Sequence, residues 1–324
     1  MITRLHRGAA GAAIVIALLL AASAPPAFAA TTLTVGKANA TSDAIIPVDV
    51  GDQLGIFKKH GLDLKIIDFG GGSKMAQAMA AGSIDIGDGA GTETALVAKG
   101  VPMIAVCEST APAPFLAIGV PWDSPIKSLA DLKGKTIGVS SPGSFSDWSG
   151  HELARKEGWG ADGVKTVAIG GGAAPASAAF RAHQVDAAIG GTSQFPVFEE
   201  SKVGRLLAPV SSYEGNVASG ALFASNRLVA ANPGAIRAFL AAWMETVDYM
   251  RTHKAETVKI ESGITHFDQT VMSREYDLTI GMFTKDCRFD PESLATLKRS
   301  YVELKLLAEA PDMSKLYTDA YLPK

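Results

Sequence analysis

Polar and apolar positions alternate in short blocks along most of this chain. Apolar runs of five to eight residues read as strands at 33–38 (LTVGKA), 62–69 (LDLKIIDF), 84–89 (IDIGDG) and 102–109 (PMIAVCES). Between them, stretches with apolar residues three and four apart read as helices: 44–61, 73–82 and 92–100, the last two closed by Gly82 and Gly100. Strands alternating with helices of this length predict βαβ units and a mostly parallel sheet. The pattern restarts after Pro121. Strands are predicted at 135–140, 164–172 and 185–191, and helices at 146–158, 175–184 and 193–202. The remainder reads as helical. Asn232-Pro233 and Asp290-Pro291 each place a capping side chain before a proline suited to a first helical turn.

The two blocks repeat each other. Phe69-Gly70-Gly71-Gly72 leads through an alanine-rich helix to Ile84-Asp85-Ile86, and Ile169-Gly170-Gly171-Gly172 leads likewise to Val185-Asp186-Ala187. The offset is 100 residues at the glycines and 101 at the aspartates. A repeated supersecondary unit predicts two similar lobes. Segments 109–119 and 211–225, rich in small residues, read as two crossings between them. We expect residues 30–115 and 217–324 to form lobe I, 116–216 to form lobe II, and hinges to lie near 110–119 and 211–222.

The first 29 residues stand apart. Arg4 and Arg7 precede an apolar core at 12–22 that is too short to span a bilayer, and Ala27-Phe28-Ala29 closes it with small residues at the outer positions. This is a secretory signal peptide pattern with cleavage expected after Ala29, so the chain is expected in the periplasm. No cysteine follows the apolar core, which argues against a lipid anchor. The formal net charge is −3 with no basic run, which argues against nucleic acid as a partner. Export permits a disulfide between Cys107 and Cys287, the two cysteines present, and sequence leaves free thiols open as well.

The segment KGKTIGVSSPGSFSDWSG, residues 133–150, invites three readings. Gly134-Lys135-Thr136 ends like a phosphate-binding loop, but Leu129 stands where that loop needs glycine. A nucleophile elbow needs Gly-x-Ser-x-Gly, and neither Gly138-Val139-Ser140-Ser141-Pro142 nor Gly143-Ser144-Phe145-Ser146-Asp147 supplies it. The third reading is a capped helix start, with Ser144 as N-cap and Asp147 three residues on. Its unpaired N–H groups and positive dipole end suit a small polar or anionic ligand. Similar glycine- and hydroxyl-rich mouths follow the other predicted strands at 70–73, 89–92, 170–172 and 190–193. Ligands of open α/β sheets bind at that edge.

These residues carry a family resemblance. GDQLGIFKKHGLDL, GGGSKMAQAMAAGSIDIGDGAGTETALVAKGVPMIAV and SPIKSLADLKGKTIGVSSPGS resemble the nitrate/sulfonate/taurine class of periplasmic solute-binding proteins, which includes thiamine-precursor binders. The resemblance covers nearly the whole exported chain. It implies an α/β, two-lobed venus-flytrap fold of type II, each lobe a mixed, mostly parallel sheet flanked by helices. It also implies a monomer that delivers a small solute to an ABC permease in the inner membrane, with neither cofactor nor metal. The family's ligand loops fall on Asn39, Ser42 and Asp43; on Gly72, Ser73 and Lys74; on Gly91, Thr92 and Glu93; on Ser140, Ser141, Gly143 and Ser144; on Gly171 and Gly172; and on Thr192, Ser193 and Phe195.

Ligand charge stays open at this level. Arginine, the usual bidentate partner of carboxylate and sulfonate, is missing from these loops, and Arg181 reads as a solvated helix residue. Lys74 would suit an anion, whereas Asp43, Glu93 and Asp147 would suit an amine-bearing or hydroxylated ligand. Trp148 and Phe195 are candidates for stacking on an aromatic ligand or for core packing. The ligand classes are therefore a sulfonate- or taurine-like anion or zwitterion, or an aromatic pyrimidine. A thiamine-pyrimidine synthase shares the implied fold, but it relies on a cysteine-rich motif that this chain lacks, so no enzymatic activity is expected.

Overall fold

The computed structural model of the chain describes residues 30–323 apart from 113, 161, 304 and 305. The expected signal peptide, 1–29, lies outside the described residues.

The first sheet takes its strands from both ends of the chain. β1 (Thr31–Lys37), β2 (Leu62–Asp68), β3 (Ile86–Gly89) and β4 (Met103–Thr110) come from the first block, and β10 (Gly220–Ser225) returns much later. The order is β2-β1-β3-β10-β4. β1 pairs in parallel with β2 and β3, and β10 runs antiparallel to β3 and β4. β3 and β10 are buried along their whole length, as central strands covered on both faces must be. The second sheet holds β5 (Leu116–Pro121), β6 (Thr136–Val139), β7 (Lys165–Ala168), β8 (Ala187–Gly191) and β9 (Gly204–Pro209) in the order β7-β6-β8-β5-β9. Its pairings match those of the first sheet: β6 parallel to β7 and β8, and β5 antiparallel to β8 and β9.

The repeat read from sequence is physical. Asp85 Oδ2 accepts the Thr34 N–H at 2.9 Å while the Asp85 N–H donates to Thr34 O at 2.8 Å. Asp186 makes the same pair with Thr136 in the second sheet, at 2.8 and 2.9 Å. Each aspartate thus clamps the strand that enters the sheet centre, which is why Ile-Asp-Ile and Val-Asp-Ala recur.

Helices cover both sheets. The first lobe carries α1 (Pro47–Gln53), α2 (Ile56–Lys59), α3 (Gly72–Ala80) and α4 (Thr94–Ala98). The second carries α5 (Phe145–Lys156), α6 (Ala173–Arg181) and α7 (Gln194–Glu200). After β10 come α8 (Asn226–Ala231), α9 (Pro233–Thr252), α10 (Lys254–Thr265), α11 (Gln269–Thr279) and α12 (Pro291–Glu303). In α9 the residues Ile236, Phe239, Leu240, Trp243, Val247 and Met250 form one buried stripe. Each such side chain contributes about 1.5–3 kcal/mol on leaving water. The predicted caps hold: Asn232 Oδ1 accepts the Ala235 N–H at 3.1 Å, and Asp290 Oδ1 accepts the Glu292 N–H at 2.7 Å. None of the described helices is long and apolar enough to cross a membrane.

One expectation needs correction and another is narrowed. The single helix expected over 44–61 is broken, because Gly55 adopts φ 71° between α1 and α2. Strands occupy the ends of the expected crossings. Residues 116–121 are β5 and 220–225 are β10, so the chain passes between the sheets over 111–115 and 210–219. Cys107 on β4 is bonded to Cys287, 180 residues further on, with Cα atoms 4.5 Å apart. The bridge closes a loop that contains the entire second sheet.

Candidate solute-binding site

The carboxyl ends of β1, β3, β6 and β8 open toward one cavity of about 110 Å³ between the two sheets. That is slightly smaller than the roughly 150 Å³ hole that accommodates benzene. One wall is Ala38, Asn39, Thr41, Ser42, Ala44 and Ile45 after β1, with Gly72 at the start of α3 and Ala90 and Glu93 after β3. The facing wall is Ser140, Ser144, Phe145 and Ser146 at the start of α5, Gly171 to Ala173 at the start of α6, Gly190 and Gly191 at the end of β8, and Ser193 and Gln194 just after it.

The wall at α5 has a definite local cause. Ser144 is the N-cap, and its Oγ accepts the Asp147 N–H at 3.3 Å. Asp147 reaches back to the Gly143 N–H at 2.7 Å instead of to the cap residue itself. Ser140, Ser144 and Ser146 bond to one another through hydroxyls 3.0–3.1 Å apart, a rim of rotatable donors and acceptors.

The loops expected to bind ligand are brought together, though only part of each faces the cavity. Asn39, Ser42, Gly72, Glu93, Ser140, Ser144, Gly171, Gly172 and Ser193 line it. Gly91 is packed against Ala218 O, and Thr92 is buried beside it without lining the cavity. Lys74 is exposed on α3. Ser141 sits beneath Gly71, and Gly143 lies near Ser73. Phe195 and Trp148 serve as packing groups: Phe195 covers Gly119 and meets Phe198, while Trp148 stacks on Phe145 at 5.2 Å. Asp43 and Thr192 face away from the cavity, toward α10 and α11. Thr192 Oγ1 donates to Glu275 Oε2 at 2.7 Å.

Several lining residues carried no signal in the sequence. Phe115, Phe145 and Phe267 supply the aromatic surface, and Ser219 comes from the return crossing. Phe267 reaches the cavity only because α10 and α11 fold back over the first lobe.

The electrostatics are dominated by buried acids. Glu93 is 1 % exposed, and burial pushes its carboxyl up to about 8. Its Oε2 accepts the Ala90 N–H. Asp88, fully buried on β3, has neither oxygen hydrogen-bonded, and desolvation pushes it well above the ordinary carboxylate range. Lys37, the nearby buried cation, is committed to Ala40 O at 3.1 Å, Asp49 at 2.5 Å and Asp68 at 3.5 Å. Behind the wall at 42–45, Asp43 is pushed up to about 7 by burial and by Glu275, and Glu261 up to about 8 by burial, Asp43 and Glu275. Among the described residues no cluster of histidine, cysteine or carboxylate has the arrangement of a metal site.

Comparison with known proteins agrees with this architecture. The family profile described as NMT1/THI5 like matches residues 43–257. The chain belongs to the NMT1/THI5-like family. A protein of Brucella abortus (strain 2308), whose name describes it as a binding protein and specifies no ligand, is 28% identical over 228 residues, 70% of this chain and 69% of that one. A solved structure from Bordetella bronchiseptica RB50 is 27% identical with a TM-score of 0.75, covering 90% of this chain and 95% of that one. The alkanesulfonate-binding protein SsuA of Xanthomonas axonopodis pv. citri, solved with MOPS, has a TM-score of 0.72 at 19% identity, covering 91% and 99%. The desulfurization enzyme DSZB shares the fold more distantly, with a TM-score of 0.61 at 16% identity over 90% and 97%. The two-lobed periplasmic-binding-protein fold implied by the sequence resemblance is therefore the fold of this NMT1/THI5-like chain.

In this family member the two lobes are in contact across the cavity. Besides the Thr192–Glu275 bond, Ser73 Oγ donates to Pro142 O. Arg155 and Glu303 approach to 3.5 Å, and Arg299 and Glu152 to 3.9 Å. The crossings are tied together: the Ser219 N–H donates to Thr110 O at 3.0 Å, and Ser219 Oγ donates to Pro112 O at 2.8 Å.

Proposed function

We propose that this chain is the extracytoplasmic solute-binding subunit of an ABC importer, capturing a small organic solute between its lobes by hinge closure. The observation that carries this reading is the interlobe cavity itself. Its walls are N-terminal helix turns and hydroxyl groups from both lobes, and the lobes touch one another around it. We place the lobe boundaries at the crossings 111–115 and 210–219. A solute that touches both walls binds the closed form more tightly than the open one and shifts the population toward it. Closure excludes water and strengthens each polar contact. An inner-membrane permease then recognises the closed monomer, which the segment 1–29 directs to the periplasm. The residues proposed to touch the solute are Asn39, Ser42, Gly72, Glu93, Ser140, Ser144, Gly171, Gly172 and Ser193.

SsuA supplies the parallel of a sulfonate-type solute held in the same fold. Phe115, Phe145 and Phe267 favour a second ligand reading, a small aromatic heterocycle. A binding role is preferred over an enzymatic one because the Brucella abortus relative is named as a binding protein and SsuA, of the same fold, binds alkanesulfonates.

Thermal unfolding of the exported chain against alkyl and aromatic sulfonates, taurine, nitrate, aromatic carboxylates and aminopyrimidines tests the reading. A solute at 100 times its Kd adds about 2.7 kcal/mol of stability. A rise in melting temperature with one chemical class supports it. Flat melting temperatures across the panel, with no small molecule in mass spectra of the purified protein, count against it.

A further inference from the structure

We infer that Glu93 selects the solute, and that the solute carries a protonated nitrogen, an ammonium or amidinium group, for which Glu93 is the partner. The inference rests on the solute-binding reading above and specifies its chemistry.

The first observation is the composition of the cavity wall. Among the described residues that line it there is neither lysine, arginine nor histidine, and Glu93 is the ionisable side chain present. The second is how Glu93 is held. Its Oε2 is fixed by the Ala90 N–H, which leaves Oε1 as the atom available to a ligand. Gly72 and Gly89 make room for the carboxyl. A Cβ on Gly72 would lie 1.6 Å from Oε1, and one on Gly89 would lie 3.2 Å from Oε2. A buried acid with two glycines cleared around it and no cation beside it is costly to ionise. A cationic ligand supplies the missing countercharge.

The third observation is the field around the cavity. Facing Glu93 are Asp88 from β3 and Tyr301 from α12, and beyond Asp88 stand Asp49 and Lys37. Lys37 already serves Asp49 and Asp68. On the other side, burial raises Asp43, Glu261 and Glu275; Glu275 raises Asp43 further, and Asp43 and Glu275 raise Glu261, with no cation among the groups acting on them. Helix starts lie on both walls, at α3 and α4 beside Glu93 and at α5 and α6 opposite, so the walls differ in their side chains: a carboxyl on one and serine hydroxyls on the other. That difference orients the solute, with the nitrogen end on Glu93 and the neutral or anionic end on the serines of α5.

The proton balance follows. The empty site holds Glu93 neutral near pH 7. An arriving ammonium pairs with the carboxylate and expels that proton to solvent. A nitrogen-free anion has no reason to release one.

The test uses matched compounds that differ by ammonium against hydroxyl: taurine and isethionate, β-alanine and 3-hydroxypropionate, benzylamine and benzyl alcohol. Melting temperatures rank them. Calorimetry at pH 7 in two buffers of unlike ionisation enthalpy then counts protons for each binder, with wild type and Glu93→Gln. We expect at least one amine member to bind at least tenfold tighter than its hydroxyl partner. We expect nearly one proton released per ligand in wild type, and at least tenfold weaker binding without proton release in Glu93→Gln. Proton counting on wild type keeps the test decisive if the variant folds poorly. Equal binding of the hydroxyl partners, or amine binding without proton release, overturns the inference while leaving the solute-binding reading intact. Binding by no amine member also overturns it, and if the hydroxyl members and the wider panel fail too, the solute-binding reading falls with it.

Discussion

Glu93 and Gly72 compete for one space: a Cβ built on Gly72 would stand 1.6 Å from Glu93 Oε1. Gly72→Ala must therefore displace the carboxyl from the cavity wall. We expect solute affinity to fall at least about tenfold, or 1.4 kcal/mol, with a stability cost of about 1–3 kcal/mol for overpacking. Calorimetric titration alongside urea unfolding separates the two. An unchanged Kd would show that the Glu93 position is immaterial to binding.

Gly71 tests closure rather than the wall. A Cβ there would lie 2.4 Å from Ser141 Oγ on the opposite lobe. Gly71→Ala should weaken solute binding by roughly tenfold through the clash in the closed form, and its φ of 154° adds a backbone strain that lowers stability in either form. Association and dissociation rates from stopped-flow fluorescence would show faster dissociation. Wild-type rates in the variant would contradict the closed arrangement.

The acids behind the cleft set a pH dependence with a definite sign. Asp43 and Glu261 are raised from ordinary carboxylate values to about 7 and about 8, and Glu275 is raised as well. The folded protein thus binds more protons than the unfolded chain between about pH 4 and 8, so stability is lost as pH rises through that window. Melting temperatures at pH 5 and pH 8.5 should differ in that direction, and Glu261→Gln should flatten the slope. A melting temperature that climbs with pH would refute the assignment.

The Cys107–Cys287 bridge closes a 180-residue loop. Reducing it, or making Cys107→Ser with Cys287→Ser, should cost about 2–4 kcal/mol. Denaturant midpoints with and without reductant read this directly. Identical midpoints would mean that the bond contributes nothing to stability.

Asp85 and Asp186 hold equivalent strands in separate lobes. Asp85→Ala and Asp186→Ala should each cost about 1–3 kcal/mol, because each leaves a strand N–H without its partner. The sites are far apart and share no contacts, so the double variant should show the sum within about 0.5 kcal/mol. A strong coupling in the double variant would mean that the lobes do not store stability independently.

How far the sequence could be read follows from these same residues. The paired lobes were legible because Asp85 and Asp186 recur with their glycine turns, and local capping chemistry marked Ser144, Asn232 and Asp290. The crossings were drawn too long because some of the small residues there serve close packing within strands. A Cβ on Gly119 would lie 1.9 Å from Phe195, and one on Gly220 would lie 2.4 Å from Thr110 Oγ1. Those glycines belong to β5 and β10, strands whose partners are remote in sequence. The site was half visible for a related reason. Helix starts are local, so Ser140, Ser144, Gly172 and Ser193 could be named. Phe267 reaches the cavity, and Glu275 reaches Thr192, only through the fold-back of α10 and α11, which leaves no local pattern. The protonation of Glu93 depends on burial from three elements at once, and a charge count along the chain does not register it.

The central claim is capture between lobes that close on a solute. Small-angle X-ray scattering of the exported chain, with and without a saturating amount of the tightest binder from the panel, tests it most directly. The account predicts a smaller radius of gyration with solute, and a liganded profile that fits the closed arrangement described above. Superimposable profiles in the two states, with binding confirmed in the same samples, would contradict it.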